Sequence, residues 1–230
     1  NGFCISLACI EPRRWISHQF TLSRTSARWK KFRAQSLLEL RKNLLKNSTG
    51  LWIKSGTPTD VLGELPESFT VLEVITDLPV SVEEKEENEN LKISGFKVKA
   101  VQCDDLFLAR EINSITSQLP TSFSNFRRRI EKKSPINLIA LPVIPEGNQL
   151  LRQPWVDPPE LIQALSINIA SSAKYDWVGG EESGVNSWHK YLKSCALSSY
   201  KISRNDLMGD TSSSHVSPWL AHGCISARFL

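Results

Sequence analysis

The chain has 230 residues, 40% of them apolar and 23% charged, proportions ordinary for a soluble globular protein with ample material for a core. No apolar run approaches the ~20 residues that a membrane-spanning helix needs, so a bilayer-crossing function is excluded. The net charge of +4 permits a polyanionic partner without arguing for one. Cys4, Cys9, Cys103, Cys195 and Cys224 show no CxxC and no His/Cys ligand spacing. They read as free or buried thiols in a reducing, intracellular compartment, organelle or nucleus included. His18, His189, His215 and His222 are scattered, so no metal site is predicted, and there is neither a GxGxxG nor a Walker loop. The serines have no partnered His and Asp, which leaves nucleophilic catalysis unsupported.

In chain order, Phe3 to Ile10 reads as a buried strand closed by a turn at Glu11-Pro12-Arg13. Arg28 to Asn47 is the clearest helix, with Trp29, Phe32, Leu37, Leu40 and Leu44 on one stripe and Gly50 marking its end. Strands are predicted over 51–56, 71–75 and 96–101, and the acidic run Glu83 to Glu89 as a solvated helix start or a loop. Strands alternating with helices predict a parallel sheet with crossover helices, an α/β fold. Thr121 or Ser122 can cap a helix whose Phe123, Phe126 and Ile130 form one face. Its basic residues Arg127, Arg128, Arg129, Lys132 and Lys133 are either a solvated face or a weak nucleic-acid patch.

From Ser134 to Pro159 six prolines block long helices and mark a connector. The chain thus divides into an α/β unit over 1–133, a connector over 134–159 and a helical unit over 160–230. In the last, Glu160 to Ile169 restarts a helix, Gly179-Gly180 is a bend, and Val185 to Leu192 is amphipathic. Glu181 and Glu182 read as negative charge placed at a helix start.

The stretch Thr211 to Gly223 carries the site. Clustered hydroxyls at Thr211, Ser212, Ser213 and Ser214 run up to Ser217-Pro218, predicted as N-cap and first helical residue. Trp219 and Leu220 give that helix a buried face, and Gly223 ends it in the left-handed conformation. Hydroxyls and free N–H groups ahead of a helix suit a phosphate, the plainer alternative being a solvated loop that caps a helix.

Three blocks add a resemblance. Trp177 to Val185, Tyr200 to Gly209 and Ser213 to Arg228 resemble, in order, three motifs of the photolyase/cryptochrome family, nearest its cryptochrome DASH branch. Leu119 to Lys133 resembles the passage leading into that family's interdomain linker. The resemblance implies a partial parallel-sheet amino-terminal domain followed by the first helices of an all-α FAD-binding domain. It implies part of a blue-light flavoprotein, repairing pyrimidine dimers flipped out of DNA or signalling through flavin redox change. On this chain the family's phosphate loop falls on Ser213, Ser214, His215, Val216 and Ser217, and its upstream aromatic contact on Tyr200. His215 stands where the branch has Lys, His222 where it has Phe and Ala227 where it has Pro. Ile75-Thr76-Asp77-Leu78-Pro79 replaces the Lys-Glu residues associated with a folate antenna, so an antenna is not carried over. The family's first strand precedes the segment matched by Phe3 to Ile10, and its flavin-ring contacts, tryptophan chain and dimer pocket lie past the segment matched by Leu230. A catalytic residue is therefore assigned to none of these positions. The alternatives are a non-catalytic remnant acting as an interaction module, and a basic nucleic-acid binder using Arg127, Arg128 and Arg129.

Overall fold

The computed structural model describes residues 4–11, 18–19, 22–23, 25–47, 49–65, 69–103, 106–107, 109–116, 118–133, 156–169, 177–206 and 211–230. The predicted turn beyond Glu11 and most of the predicted connector, 134–155, lie outside them.

Strand β1 (Ser6–Ile10) is followed by a short antiparallel pair, β2 (His18–Gln19) and β3 (Leu22–Ser23), and by helix α1 (Ala27–Lys46). The Ser26 hydroxyl starts α1 by accepting the Trp29 N–H at 3.1 Å, satisfying one of the helix's orphan donors. The helix stops at Asn47, whose N–H returns to the carbonyls of Leu44 and Leu45, so Gly50 is not the terminator the sequence suggested. Strand β4 (Leu51–Ser55) then pairs parallel with β1, Ser6 opposite Leu51 and Ile10 opposite Ser55. A right-twisted strand, a crossover helix and a parallel strand form the unit the alternation predicted.

Helix α2 (Pro58–Gly63) opens with a capping box, Thr57 and Asp60 bonding to each other's backbone N–H. Strand β5 starts at Val74 and runs to Asp77, three residues later than the apolar run implied. The acidic segment is a full helix, α3 (Val82–Ile93), because a second capping box, Ser81 with Glu84, fixes its first turn. Its Asn88 and Leu91 are buried against strand β6 (Val98–Val101) and β5, which pair parallel with Val74 opposite Val98. The parallel arrangement is present, but as two separate two-stranded ladders rather than one sheet.

Helices α4 (Ala109–Ile115) and α5 (Phe123–Lys133) follow. Ser122 caps α5 by accepting the Asn125 N–H at 3.3 Å. Of the expected apolar face only Ile130 is buried; Phe123 is 75% exposed. Helix α6 (Pro159–Ser166) lays Leu161 and Ala164 into a core with Ile10, Ala34, Leu51 and Ile53. Ala34 is central to that core, whereas the predicted stripe residue Leu40 faces solvent, because only a small side chain lets α1 approach so closely. Arg41 grips Asp157 through both guanidinium nitrogens, at 2.5 and 3.1 Å, and Lys31 donates to the Ile167 carbonyl at 2.9 Å.

Helix α7 (Glu181–Lys193) begins four residues before the predicted Val185, directly after Gly180. Helices α8 (Ala196–Ser203) and α9 (Ser217–Ala221) complete the described residues, among which no helix is long and apolar enough to cross a membrane. All five cysteines are free thiols, and Cys4, Cys103 and Cys195 are exposed rather than buried.

Two glycines on helices should behave oppositely. A Cβ on Gly184 would sit 2.8 Å from Cγ of Trp219 and 3.1 Å from Cγ2 of Ile225, while one on Gly63 would meet nothing within 4 Å. Gly184→Ala should therefore cost about 1–3 kcal/mol by overpacking, and Gly63→Ala should gain about 0.4–1 kcal/mol by stiffening the unfolded chain. Urea unfolding midpoints of the two variants check both signs.

Candidate functional site

The loop at 211–216 is held by what lies directly after it. Trp219 is 2% exposed, donates its indole N–H to the Val178 carbonyl at 3.0 Å, and meets Phe32 and Trp177 edge-on at centroid distances of 5.7 and 6.3 Å. Edge-to-face pairs of this kind add to the burial of the rings themselves. With Phe32, Val216 and Ile225 it forms a second core on the far side of α1 from the first. The short helix α9 is thus a fixed post, and the serine loop is its leader.

Local geometry corrects the sequence reading at one point. The cap residue of α9 is Val216, whose buried side chain bonds to nothing, and Ser217 is already the first helical residue. The Ser217 hydroxyl is exposed and is not used as a cap. Upstream, His215 takes a left-handed conformation with φ +53° and holds Nδ1 3.3 Å from the Ser213 hydroxyl. A non-glycine residue in that region is uncommon and tends to mark strain kept for a reason. Ser213, Ser214 and His215 are half-buried, side by side on the approach to the helix. Gly223, with φ +65°, closes α9 as predicted.

Tyr200 lies on α8 and is 43% exposed; among the described residues no hydrogen bond or ring contact ties it to the loop. Arg127, Arg128 and Arg129 are far along the chain on α5, all exposed. Arg127 pairs with Glu131 at 3.2 Å and Arg129 donates to the Thr116 hydroxyl at 3.3 Å. The donor set around the loop, hydroxyls and an imidazole beside a helix start, suits an anionic diphosphate and supplies no ligand set for a metal.

Four features escaped the sequence. The Gly179-Gly180 turn is docked on α1: the Gly179 N–H reaches Oε1 of Gln35 at 2.9 Å, and the Glu182 N–H reaches Oε1 of Glu39 at 2.8 Å. A Cβ on Gly179 would lie 2.0 Å from the Phe32 carbonyl oxygen, so only glycine fits there. The acidic first turn of α7 agrees with the charge reading, but its cap comes from a side chain 143 residues away. At the other end Arg228, almost buried, pairs with Glu111 of α4 at 2.7 Å and donates to the Leu106 carbonyl at 3.1 Å. A cavity of about 270 Å³ lies between α1, α7 and the turn after α9, lined in part by Ser36, Leu40, Val185, His222, Cys224 and Phe229. None of the loop serines lines it.

His222 fills a slot beside that cavity. Its ring centroid is 4.9 Å from Phe32 and 5.6 Å from Trp29, and its Nδ1 lies 2.8 Å from the Pro218 carbonyl. Burial pushes its pKa below the ordinary value, the bond to Pro218 resists that, and the nearby Arg33 guanidinium adds to it. Cys9 on β1 is likewise held as a neutral thiol, its pKa raised to about 11 by burial and by Glu87.

Parallel β-strand ladders crossed by helices, then a helical run carrying a hydroxyl-rich loop, define the class: an α/β-plus-α fold. The family model described as DNA photolyase matches residues 2–146, and the chain belongs to that family. A cryptochrome DASH of Arabidopsis thaliana, chloroplastic/mitochondrial, is 30% identical over 231 residues, covering 96% of this chain and 40% of that one. A crystal structure of a Synechocystis cryptochrome matches with a TM-score of 0.75 and 25% identity over 98% of this chain and 48% of the other. An archaeal photolyase from Sulfolobus tokodaii, described with two FAD molecules, shares the fold with a TM-score of 0.62 at 21% identity, over 97% of this chain and 46% of that one. The chain spans less than half the length of the relatives it matches.

A base whose pKa is lowered by folding binds its proton more readily when unfolded. His222 therefore contributes stability that is complete above the unfolded value of 6.5 and is lost as pH falls from there through the folded value. Thermal unfolding followed between pH 8 and 5 should show a falling midpoint below about 6.5, and His222→Phe, which keeps the ring contacts, should flatten that part of the curve.

Proposed function

We propose that this chain is part of a cryptochrome DASH-type blue-light flavoprotein, with the diphosphate of FAD held at Ser213, Ser214, His215, Val216 and Ser217 and an aromatic contact from Tyr200. The single observation behind this reading is the serine loop on its fixed Trp219 post, with His215 turned left-handed to bring its ring to Ser213. FAD bound to the archaeal photolyase of the same fold supports it. The residues fit the group: the hydroxyls of Ser213, Ser214 and Ser217 can donate to an anion, His215 is held against Ser213, and a helix start adds a partial positive charge. When bound, FAD supplies the photochemistry, light absorption and electron transfer. The chain's own share is to accept no charge itself, hold the phosphates by hydrogen bonds and keep their position rigid through Trp219. On this reading residues 160–230 begin the FAD-binding helical unit, and DNA, damaged or single-stranded, is the partner. The remnant alternative draws no specific support from any relative.

Binding by residues 1–230 should be weak but dependent on the serines. Hydroxyl hydrogen bonds are worth about 0.5–1.5 kcal/mol each, while micromolar affinity needs about 8 kcal/mol. The cavity of about 270 Å³ falls short of the ~300–1,000 Å³ of typical ligand sites and does not touch the loop. Fluorescence titration with FAD should give a dissociation constant well above micromolar, weakened roughly tenfold more by Ser213→Ala with Ser217→Ala. A stoichiometric yellow complex surviving gel filtration, or one indifferent to both serines, would refute this reading.

The DNA reading makes a separate prediction on α5. Because Arg127 shares the Glu131 carboxylate, while Arg129 donates only to the neutral Thr116 hydroxyl, the three arginines present less free charge than their number suggests. Each phosphate contact contributes about 0.9 to the salt slope of binding. Replacing Arg127, Arg128 and Arg129 by Ala should lower the slope of log K against log salt by about 2 rather than about 3. Filter binding of single-stranded oligonucleotides between low and physiological salt reads it.

A further inference from the structure

Two helices of the chain carry opposite charge. Helix α3 holds five glutamates against two lysines, and α5 holds five arginines and lysines against one glutamate. The whole chain has a net charge of only +4, so the two signs are sorted onto separate elements rather than mixed. Sorted charge makes complementary patches, which select a partner and suppress wrong ones.

On α3 the inward side is Asn88 and Leu91, both buried, with Asn88 donating to the Thr76 hydroxyl at 3.2 Å. Glu84 is taken by the capping box, and Glu87 acts on Cys9 of β1. The outward side is a single stripe at steps of four, three and four residues: Val82, Glu86, Glu89 and Ile93, all exposed. Val82 is 70% exposed and Ile93 81%, so two carboxylates stand between two aliphatic tips. A face meant only for water carries polar residues along its whole length.

Helix α5 is the counterpart. Its Ile130 is buried, while Phe123 and Leu119 stand exposed at its beginning. Arg128 and Lys132 lie one turn apart on the side away from Ile130. Among the described residues neither has an ion-pair partner; nor does Glu86, and Glu89 has only the local Lys92 at 2.6 Å. An exposed local pair of that kind is worth little, so Glu89 can change partner at small cost. Within one chain the two helices are not neighbours, since α3 packs on α2 and β6 and α5 packs on α4. Their complementarity is therefore available to a second molecule.

We propose that two copies of this chain associate through these helices, the outward stripe of α3 on one copy against the basic side of α5 on the other. A two-fold axis repeats the contact reciprocally, which closes the assembly as a dimer instead of extending it into a filament. Glu86 and Glu89 meet Arg128 and Lys132 and set the register, while Val82, Ile93, Leu119 and Phe123 supply the apolar burial. The contacting helices are each only about 16–18 Å long, so the dimer is of the weak, exchanging kind. The contact involves no residue of the serine loop and does not depend on the flavin reading.

Sedimentation equilibrium of the nuclease-treated 230-residue chain tests this. A monomer–dimer equilibrium at about 0.1 M salt should weaken about tenfold or more at about 1 M, as the screening length falls from about 10 Å to about 3 Å. Glu86→Lys with Glu89→Lys, and separately Arg128→Glu with Lys132→Glu, should each raise the dissociation constant about a hundredfold, because attraction becomes repulsion at both contacts. Mixing these two variants should restore dimers, as heterodimers alone, since each presents the charge that the other now lacks. The neutral pair Glu86→Gln with Glu89→Gln, which leaves the buried side of α3 untouched, should weaken association about tenfold. A chain that stays monomeric at about 100 µM is below even a weak, transient interface and would overturn the proposal. Association indifferent to the neutral pair would do the same, as would folded reversal variants that fail to pair on mixing. Dimers that vanish on nuclease treatment would make nucleic acid at α5 the bridge, and that too would overturn it.

Discussion

Helix α1 is the member on which everything else leans, and it works by carrying two cores at once. One side presents Ala34 to Ile10, Leu51, Ile53 and Leu161, tying β1, β4 and α6 together. The other presents Phe32 to Trp219, Val216 and Ile225, tying in the helices that follow residue 177. Between these faces Gln35 and Glu39 take the N–H groups of the Gly179-Gly180 turn and of the first turn of α7. Each such bond is worth only about 0.5–1.5 kcal/mol net, but losing Gln35 would leave the buried Gly179 N–H unsatisfied, which costs more than the bond gains. The apolar burial holds the pieces together; the polar contacts fix their register.

Legibility followed range. Whatever was decided within a few residues could be read from the chain: the span of α1, the strand at Leu51, the left-handed stop at Gly223. Errors of boundary came where two local signals competed. The apolar run at Val71 suggested a strand, but ladder pairing with Val98 begins only at Val74. The run Glu83 to Glu89 lacked an apolar stripe, yet a capping box at Ser81 was enough to set a helix that buries Leu91 near its end. What could not be read was anything joining distant residues, such as Arg228 with Glu111 or Glu39 with Glu182. No periodicity encodes a contact across more than a hundred positions.

The loop shows the same division. Its hydroxyl cluster and following helix were visible in the sequence, and the helix exists. The displaced cap was not visible, because Ser-Pro favours a serine cap in general while the buried Val216 side chain decides the matter here. Nor could His215 have been expected to adopt φ +53°, a choice that depends on its neighbour Ser213. Tyr200 stays outward on α8, so the hydroxyl and imidazole groups are the ones gathered together.

Serving two cores leaves α1 little freedom to vary. From Trp29 to Glu39 no residue is fully exposed, whereas Arg28, Leu40, Lys42, Leu45 and Lys46 are. A helix covering a single core keeps a solvent-facing stripe along its whole length, where substitutions accumulate harmlessly. Here that stripe is interrupted for three turns. Sequence drift among descendants of this chain would accordingly be squeezed towards the two ends of the helix, and its middle would change only in step with residues on the strands or around Trp219. Such a segment behaves as a hub of correlated change, although it holds no reacting group.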